Sequence, residues 1–533
     1  MSRWRCSWLL SLSLLVGCAE TTPGTAACPA GKVCLHYGNL NEPGSLDPHA
    51  LSGKWEARII GELLIGLTQD DAHGNPVPGM ATSWSVSADG LLWTFKLRDA
   101  NWSDGVPVVA EDFVFALRRI LDPATGSHYP ALLEFIANAK DVSEGRLSAD
   151  ALGVRALDDR TLAISLEHPV PHLSEIAKHP AMLPLPRHQV QRWGDAWATP
   201  EHYVSNGPYM LASWRLGDSV RLVRNPQYWA QPLCIDEIRF YPTTDSISAE
   251  RRIRRGELDV NSDFQSNRAD YLRQLLPGQV RAHRFLSTVY LVFNMQLPQF
   301  QSVRVRQALA MAIDGDFIAG KLLRAGQQPA HSFVPPGTAN YPEVVQAPWA
   351  QWPLERRQRE ARALLEQEGY GPDKPLRVAI KHRNAPDPML FMPAIQADWR
   401  QIGVLAELVQ NESQVAYAAY GAGDFEIADA SWVADYNDAM SFLYLLRGTT
   451  GQNYGRYHNA EFESLLDSAQ READSVRRAE LLVQAERIVL ADAPIAPVYF
   501  SVSRALVSDK VSGWVENIGD WHRVQYLCFK GAP

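Results

Sequence analysis

Apolar positions along this chain alternate between the spacing of strands and that of helices. Residues 32–38 read as a first strand. Residues 57–67 carry Ile59, Ile60, Leu63 and Leu64 at helical spacing. Behind a hairpin tip at Asp89-Gly90, Trp93, Phe95 and Leu97 share one face of an alternating strand. A helix opens at Ala110-Glu111-Asp112 with Phe113, Leu117, Ile120 and Leu121 along one side. From Val303 a further helix places Val305, Ala308, Leu309 and Ala312 on one face, with Ser302 as its expected N-cap. Phe425-Glu426-Ile427-Ala428 suits a strand, which passes through a polar turn into a helix capped near Asn437 or Asp438. Because the two periods alternate throughout, the expected class is α/β.

The 533 residues suffice for two or more packed units, and 46% hydrophobic with 21% charged residues excludes a disordered chain. Arg3 and Arg5 precede a short apolar run, residues 8–16, which is too short to span a bilayer and reads as a signal peptide over 1–17. Leu15-Val16-Gly17-Cys18 resembles a lipoprotein signal, so Cys18 is the expected lipidation site and 18–31 a lipidated tether. Ala19 is not the Asp that commonly retains lipoproteins in the inner membrane, which fits an outer-membrane anchor. Losing the two leader arginines takes the formal charge from −9 to −11, which argues against nucleic acid as a partner. Four cysteines then remain, Cys28, Cys34, Cys234 and Cys528, with three possible pairings in an oxidising compartment.

Candidate chemistry is sparse. The chain lacks a Gly-x-Ser-x-Gly elbow, a His-Glu-x-x-His pair and a phosphate loop, so no enzyme is expected. His168 and His172 are the one tempting metal pair, but Pro169 and Pro171 deny them a common helix face; no metal and no cofactor is expected. The most informative carboxylate is Asp435, beside Trp432 and just past a strand. Such a group holds an ammonium by a charge-assisted hydrogen bond contributing roughly 1.5–3 kcal/mol. On these residues alone, a helix cap beside a core Trp explains the pattern better.

The segment Trp432-Val433-Ala434-Asp435-Tyr436-Asn437 with Ser441-Phe442 resembles the peptide-gripping stretch of periplasmic oligopeptide-binding proteins, the capture subunits of bacterial ABC importers. Ser45-Leu46-Asp47-Pro48, Trp102-Ser103-Asp104-Gly105, Glu111-Asp112-Phe113, Ser205-Asn206-Gly207-Pro208-Tyr209, Gly256-Glu257-Leu258-Asp259 and Ala496-Pro497-Val498-Tyr499 extend the likeness over nearly all of 35–530. It resembles the extracellular solute-binding proteins of the peptide and nickel class. The resemblance implies a two-lobe fold of the periplasmic-binding-protein type. It would place a first lobe in 32–64, 189–287 and 505–533, an inserted domain in 65–188, and a second lobe in 288–504. Crossovers are expected near 285–294 and 497–504.

The same resemblance makes Asp435 the clamp for a peptide ammonium, Ser431 to Val433 the docking strand, and Trp432 a cleft wall. It puts Tyr129 opposite the peptide and offers Tyr290 and Tyr499 as further lining. Departures matter too. Relatives that favour tripeptides carry arginines near the positions of Tyr420 and Asp429, and a disulfide where Ser287 and Val433 stand here. Arg383 is then the expected substitute for receiving the peptide carboxylate. Strand alternation puts Asp429 on the side of Asp435, where it either faces the cleft as a second acidic group or, on the simpler reading, pairs with a neighbouring Arg or lies in solvent. The implied partners are short peptides and an inner-membrane ABC permease, with a monomer in the periplasm tethered through Cys18. A specialised ligand (cell-wall peptide, nickel chelate or haem) and a sensor lipoprotein without a transport partner are the alternatives.

Overall fold

The structure, a computed structural model, describes residues 28–127, 129–230, 232–341, 345–448 and 450–531. Cys18 and the leader lie outside the described residues. One mixed sheet of eleven strands organises the chain. Its order runs Leu405–Asn411, Arg377–Arg383, Ile427–Val433, Val280–Phe293, Ile495–Val507, Val260–Asn261, Cys34–Gly38, Glu237–Tyr241, Ser219–Arg224, Tyr209–Arg215, with Gln328–Pro329 added to Ile495–Val507. Two long antiparallel strands, Val280–Phe293 and Ile495–Val507, sit at its centre and run from one lobe to the other. Their pairing shifts register between Arg284 and Thr288, so the sheet is broken where the lobes meet.

A separate antiparallel sheet of four strands, in the order Ala81–Val86, Leu92–Leu97, Thr161–Ser165, Val154–Asp158, forms the inserted unit. Trp93, Phe95 and Leu97 are buried as their alternation requires. Helix Ala110–Leu121 lays Phe113, Leu117, Ile120 and Leu121 on this sheet. Its core is continuous with that of the first lobe, where Leu35, Tyr37 and Phe240 are buried. In the second lobe the sheet is covered on both faces, by a cluster around Phe293, Leu309 and Trp399 and by another around Tyr290, Phe333 and Phe442. Each such fully buried side chain contributes about 1.5–3 kcal/mol.

Two local expectations needed correction. The first helix spans Lys54–Leu63 and stops short of Leu67, because the Asn206 side chain bonds both the N–H and the carbonyl of Ile65 (2.9 and 3.0 Å). Ser302 does occupy the N-cap of helix Val303–Met311, but its hydroxyl caps nothing. The motif residues hold the fold: Asp47 accepts from Arg119 (2.7 Å) and from the Trp197 indole (3.1 Å), and Asp112 accepts from the Trp102 indole (3.1 Å). Arg306 is buried on the carbonyls of Phe300 and Asp492, while Arg304 pairs with Glu368. Among the described residues Cys28 pairs with Cys34 and Cys234 with Cys528, and the second bond ties the C-terminal segment to the first lobe.

Candidate functional site: a cavity between the lobes

Strand Ile427–Val433 is fully paired to Val280–Phe293, from Phe293–Ile427 to Ser287–Val433. On its other edge, Arg377–Arg383 pairs only at Ile427 and Ala428. From Asp429 onward that outer edge carries no further strand among the described residues. After Ala434 donates to the Leu286 carbonyl (2.9 Å), the chain leaves the sheet. The turn that follows is pinned: the Asp435 N–H donates to Ser441 Oγ (3.1 Å), Met440 N–H to Asp438 Oδ1 (2.9 Å), and Ala339 N–H to Asn437 Oδ1 (2.8 Å). A short helix, Met440–Leu443, begins there.

This turn aims Asp435 into a cavity of about 710 Å³ lined by Tyr129, His168 and His172 from the inserted unit and by Trp432, Tyr436 and Tyr454 from the second lobe. Asp435 is half-buried. Burial alone raises its carboxyl from the ordinary 3.8 to about 7, and no cation among the described residues offsets that rise. The same burial, with the Asp435 charge second, pushes the Tyr129 phenol up to about 12. Trp432 stands beside Asp435, its indole N–H 3.5 Å from the same Ser441 oxygen.

Of the other charges lining the cavity, Arg478 and Arg447 are already matched, and Glu134 and Lys140 also stand on its wall. Arg478 grips Asp438 through both oxygens (2.6 and 2.8 Å). His172 reaches across from the inserted unit to stack on Tyr436, with ring centroids 4.9 Å apart, and burial lowers it to about 4. Arg447 is held by Glu463 and Asp467. What the site offers is one carboxylate lacking a cation, set among aromatic walls. That arrangement suits a positively charged group.

The structure does not gather all the candidate residues here. Asp429 is fully buried and does not face the cavity: its Oδ1 accepts from the Arg383 N–H (2.8 Å) and the Tyr420 hydroxyl (2.9 Å), and its Oδ2 from the Arg383 guanidinium (2.7 Å). Arg383 is thereby neutralised, and it also reaches the Tyr417 hydroxyl (2.8 Å) and Ser431 Oγ (3.2 Å). Asp429 and Ser431 do share one side of the strand, as alternation requires, but Asp435 lies past the strand end and no longer follows it. Tyr290 packs edge-on to Phe333 and Tyr499 edge-on to Phe391, both inside the second-lobe cores. Their strands are central, so side chains on both faces are covered. Val433 is exposed at the strand end, paired to Ser287, which is where the departure from a disulfide was noted. Sequence reasoning missed the Asp438–Arg478 pair, Tyr436 and Tyr454. Tyr436 is adjacent to Asp435 and was within reach; Arg478, forty residues downstream on helix Ser475–Asp492, left no local signal.

The pattern of the bacterial extracellular solute-binding proteins, family 5, matches residues 75–454. The chain belongs to this family. It is 35% identical over 518 residues, covering 95% of each chain, to the periplasmic oligopeptide-binding protein OppA of Salmonella typhimurium. It is 33% identical to the periplasmic murein peptide-binding protein MppA of Escherichia coli, covering 96% of this chain and 95% of that one. The structure of MppA superposes with a TM-score of 0.85 at 33% identity, over 94% of this family-5 chain and 99% of the other. Haemophilus influenzae OppA, solved in complex with the peptide RPPGFSPFR, gives 0.84 at 31% identity, over 94% and 99%. Family members are binding proteins, and these solved relatives share the two-lobe α/β architecture. Among the described residues, no helix is long and apolar enough to cross a membrane.

Proposed function

We propose that this family-5 chain captures short peptides in the cavity between its lobes and delivers them to an ABC permease of the inner membrane. The observation that carries the reading is Asp435, a carboxylate in the interlobe cavity that burial disfavours and no protein cation relieves. A peptide α-ammonium supplies the missing charge. The unpaired outer edge of residues 429–433 offers main-chain groups to an extended peptide, Ser431 and Val433 among them, and Trp432 and Tyr129 close around its first residues. The cavity lies within the range of about 300–1,000 Å³ typical of small-ligand sites. In this reading Arg383 and Asp429 shape the strand from behind and leave the peptide carboxylate to other groups.

We divide the chain into a first lobe (32–64, 189–287, 505–533), an inserted domain (65–188) that shares the first lobe's core, and a second lobe (288–504); the sheet break and the separate cores of the two lobes support this division. The protein acts as a periplasmic monomer that does no bond chemistry and is tethered by lipidated Cys18; the lipoprotein-like Leu15-Val16-Gly17-Cys18 supports the anchor. Calorimetry with free and N-acetylated peptides of one sequence tests the reading. The free peptide should bind at least a hundredfold more tightly, and equal affinities would overturn it. Mass spectrometry of compounds that co-purify with the protein should find mixed short peptides. A single defined compound would point to a specialised ligand, and none at all to a sensor.

A further inference from the structure

Outside the cavity, His283 meets two side chains more than 230 residues downstream, Asp520 and His522, near the start of the first crossing strand. His283 lies on Val280–Phe293, and Asp520 and His522 lie on the segment between Ser512 and Cys528. One donor atom from each falls within 4.8 Å of the other two. His522 Nε2 is 3.4 Å from Asp520 Oδ1, and His283 Nε2 is 3.9 Å from the same oxygen. The Asn517 carbonyl lies 3.0 Å from His283 Nε2. Ligand atoms about 2.0–2.2 Å from a tetrahedral zinc stand roughly 3.3 Å apart, so these separations need only a small contraction.

Two features separate this cluster from a hydrogen-bonded knot. Both imidazoles are more than nine-tenths buried, with side chains 8% and 6% exposed. Yet His522 Nε2 meets Asp520 only as a long 3.4 Å contact without well-aligned hydrogen-bond geometry, and His283 Nδ1 has no hydrogen-bond partner. Buried polar atoms are nearly always satisfied, so a ring nitrogen left this poorly satisfied beside a carboxylate asks for a bridging species. The cluster is also pre-positioned. Asp520 sits at φ +58°, its other oxygen is held by Lys54 (3.0 Å), and its Oδ1 also accepts from Ser503. The His522 ring is stacked on Trp514 at 3.8 Å.

We propose that His283, Asp520 and His522, with the Asn517 carbonyl completing the set, bind one divalent transition-metal ion of the imidazole-preferring class, such as zinc. Two imidazoles and a carboxylate suit such an ion better than calcium or magnesium, which take oxygen ligands. The ion fastens the 513–523 segment to the crossing strand. That segment also reaches the second lobe: the Ile518 carbonyl accepts from Leu286 N–H (3.2 Å) on the crossing strand, and the Ile518 side chain packs on the second-lobe cluster around Phe333. Metal therefore stiffens a strap across the lobe junction, at a distance from the aromatic cavity.

The test uses the untagged full-length protein, stripped with chelator and titrated with zinc sulfate. One ion per chain is expected, and Trp514 fluorescence should change at the same stoichiometry. His283→Gln and His522→Gln should each weaken zinc at least tenfold while their peptide affinity stays within twofold of native. Crystals of the unaltered protein soaked in equimolar zinc, measured at the zinc edge, should show an anomalous peak between the three side chains. This arm does not depend on any variant folding. No peak there, or a peak only elsewhere, overturns the assignment. So does zinc affinity that both substitutions leave unchanged.

Discussion

The charge on Asp435 makes peptide affinity a function of pH, and the shape of that function is fixed by the site. The empty protein holds this carboxyl at about 7 because burial disfavours the anion. An ammonium ligand needs the anion. Affinity is therefore complete above pH 7 and falls about tenfold for each pH unit below it, reaching about a hundredfold loss at pH 5. At the alkaline end the peptide α-amino group loses its proton near 7.7–8.0, so affinity passes through a maximum between the two. His172, held at about 4, stays neutral across this window, and the Tyr129 phenol at about 12 keeps its proton. Asp438 is lowered and locked to Arg478.

Two buried carboxyls elsewhere also titrate near 7. Glu62 accepts from the Val524 amide, and Glu486 accepts from the Phe333 and Val334 amides. A substitution separates them from Asp435. Asp435→Asn keeps the shape, leaves the bound ammonium poorly paired, and should cost roughly 3–5 kcal/mol, that is, at least two orders of magnitude in affinity. What binding remains should lose the acid limb. The variant should also melt higher than native when empty at pH 8. A carboxyl raised in the folded state stabilises it below the unfolded value of 3.8, and that contribution is lost as pH rises through 7. Calorimetry at pH 5, 6, 7 and 8 on both proteins, with melting curves alongside, covers all three effects. Native affinity that stays flat from pH 5 to 7, or an acid limb that persists in Asp435→Asn, would refute the assignment.

Saturating peptide should lower the radius of gyration seen by small-angle scattering, since a ligand touching both lobes binds the closed form preferentially; an unchanged value argues for a preclosed body. Arg383→Met leaves Asp429 buried and unpaired and should destabilise by about 3–5 kcal/mol in denaturant melts. Tripeptides differing only by Lys, Ala or Glu should compete equally for the native protein, because Asp429 is neutralised behind the strand; a strong preference for Lys would show that its charge reaches the cavity. Replacing Cys234 and Cys528 by Ser should lower stability by about 2–5 kcal/mol, visible as a lower melting temperature under oxidising conditions only.

The sequence was most legible where periodicity and turns set the structure locally. Trp93, Phe95 and Leu97 alternate into a core, and the Ala110–Leu121 helix begins where its acidic first turn says it should. Asp435 was legible through the residues around it. For Asp429 the simpler of two readings, pairing with a neighbouring Arg, is the one seen, but which Arg was not legible. Alternation gives the side of a strand on which a residue lies but not what stands there, and Arg383 arrives from a neighbouring strand, 46 residues away. Tyr290 and Tyr499 lie in the second-lobe cores for a related reason: aromatics at a crossover reach a cleft only where one face of the sheet is open, and here both faces are covered. The His283, Asp520 and His522 cluster joins positions more than 230 residues apart, and no spacing rule reaches that far.

Closure and charge are two sides of one arrangement. In the closed, empty form Asp435 is an anion in a partly dry cavity, and drying it is unfavourable. Opening the lobes returns water to it, so the empty protein gains by parting them. A bound ammonium removes that gain by replacing the water with a charge partner, and contact with Tyr129 on one side and Trp432 on the other then favours the shut form. A neutral ligand of the same size would fill the cavity and leave the carboxylate unsatisfied, so it would not shift the balance as far. The broken register between Arg284 and Thr288 lets the two halves of the sheet move without tearing a continuous ladder. In the proposed reading, selectivity for a charged terminus and the drive to close thus arise from the same unpaired carboxylate.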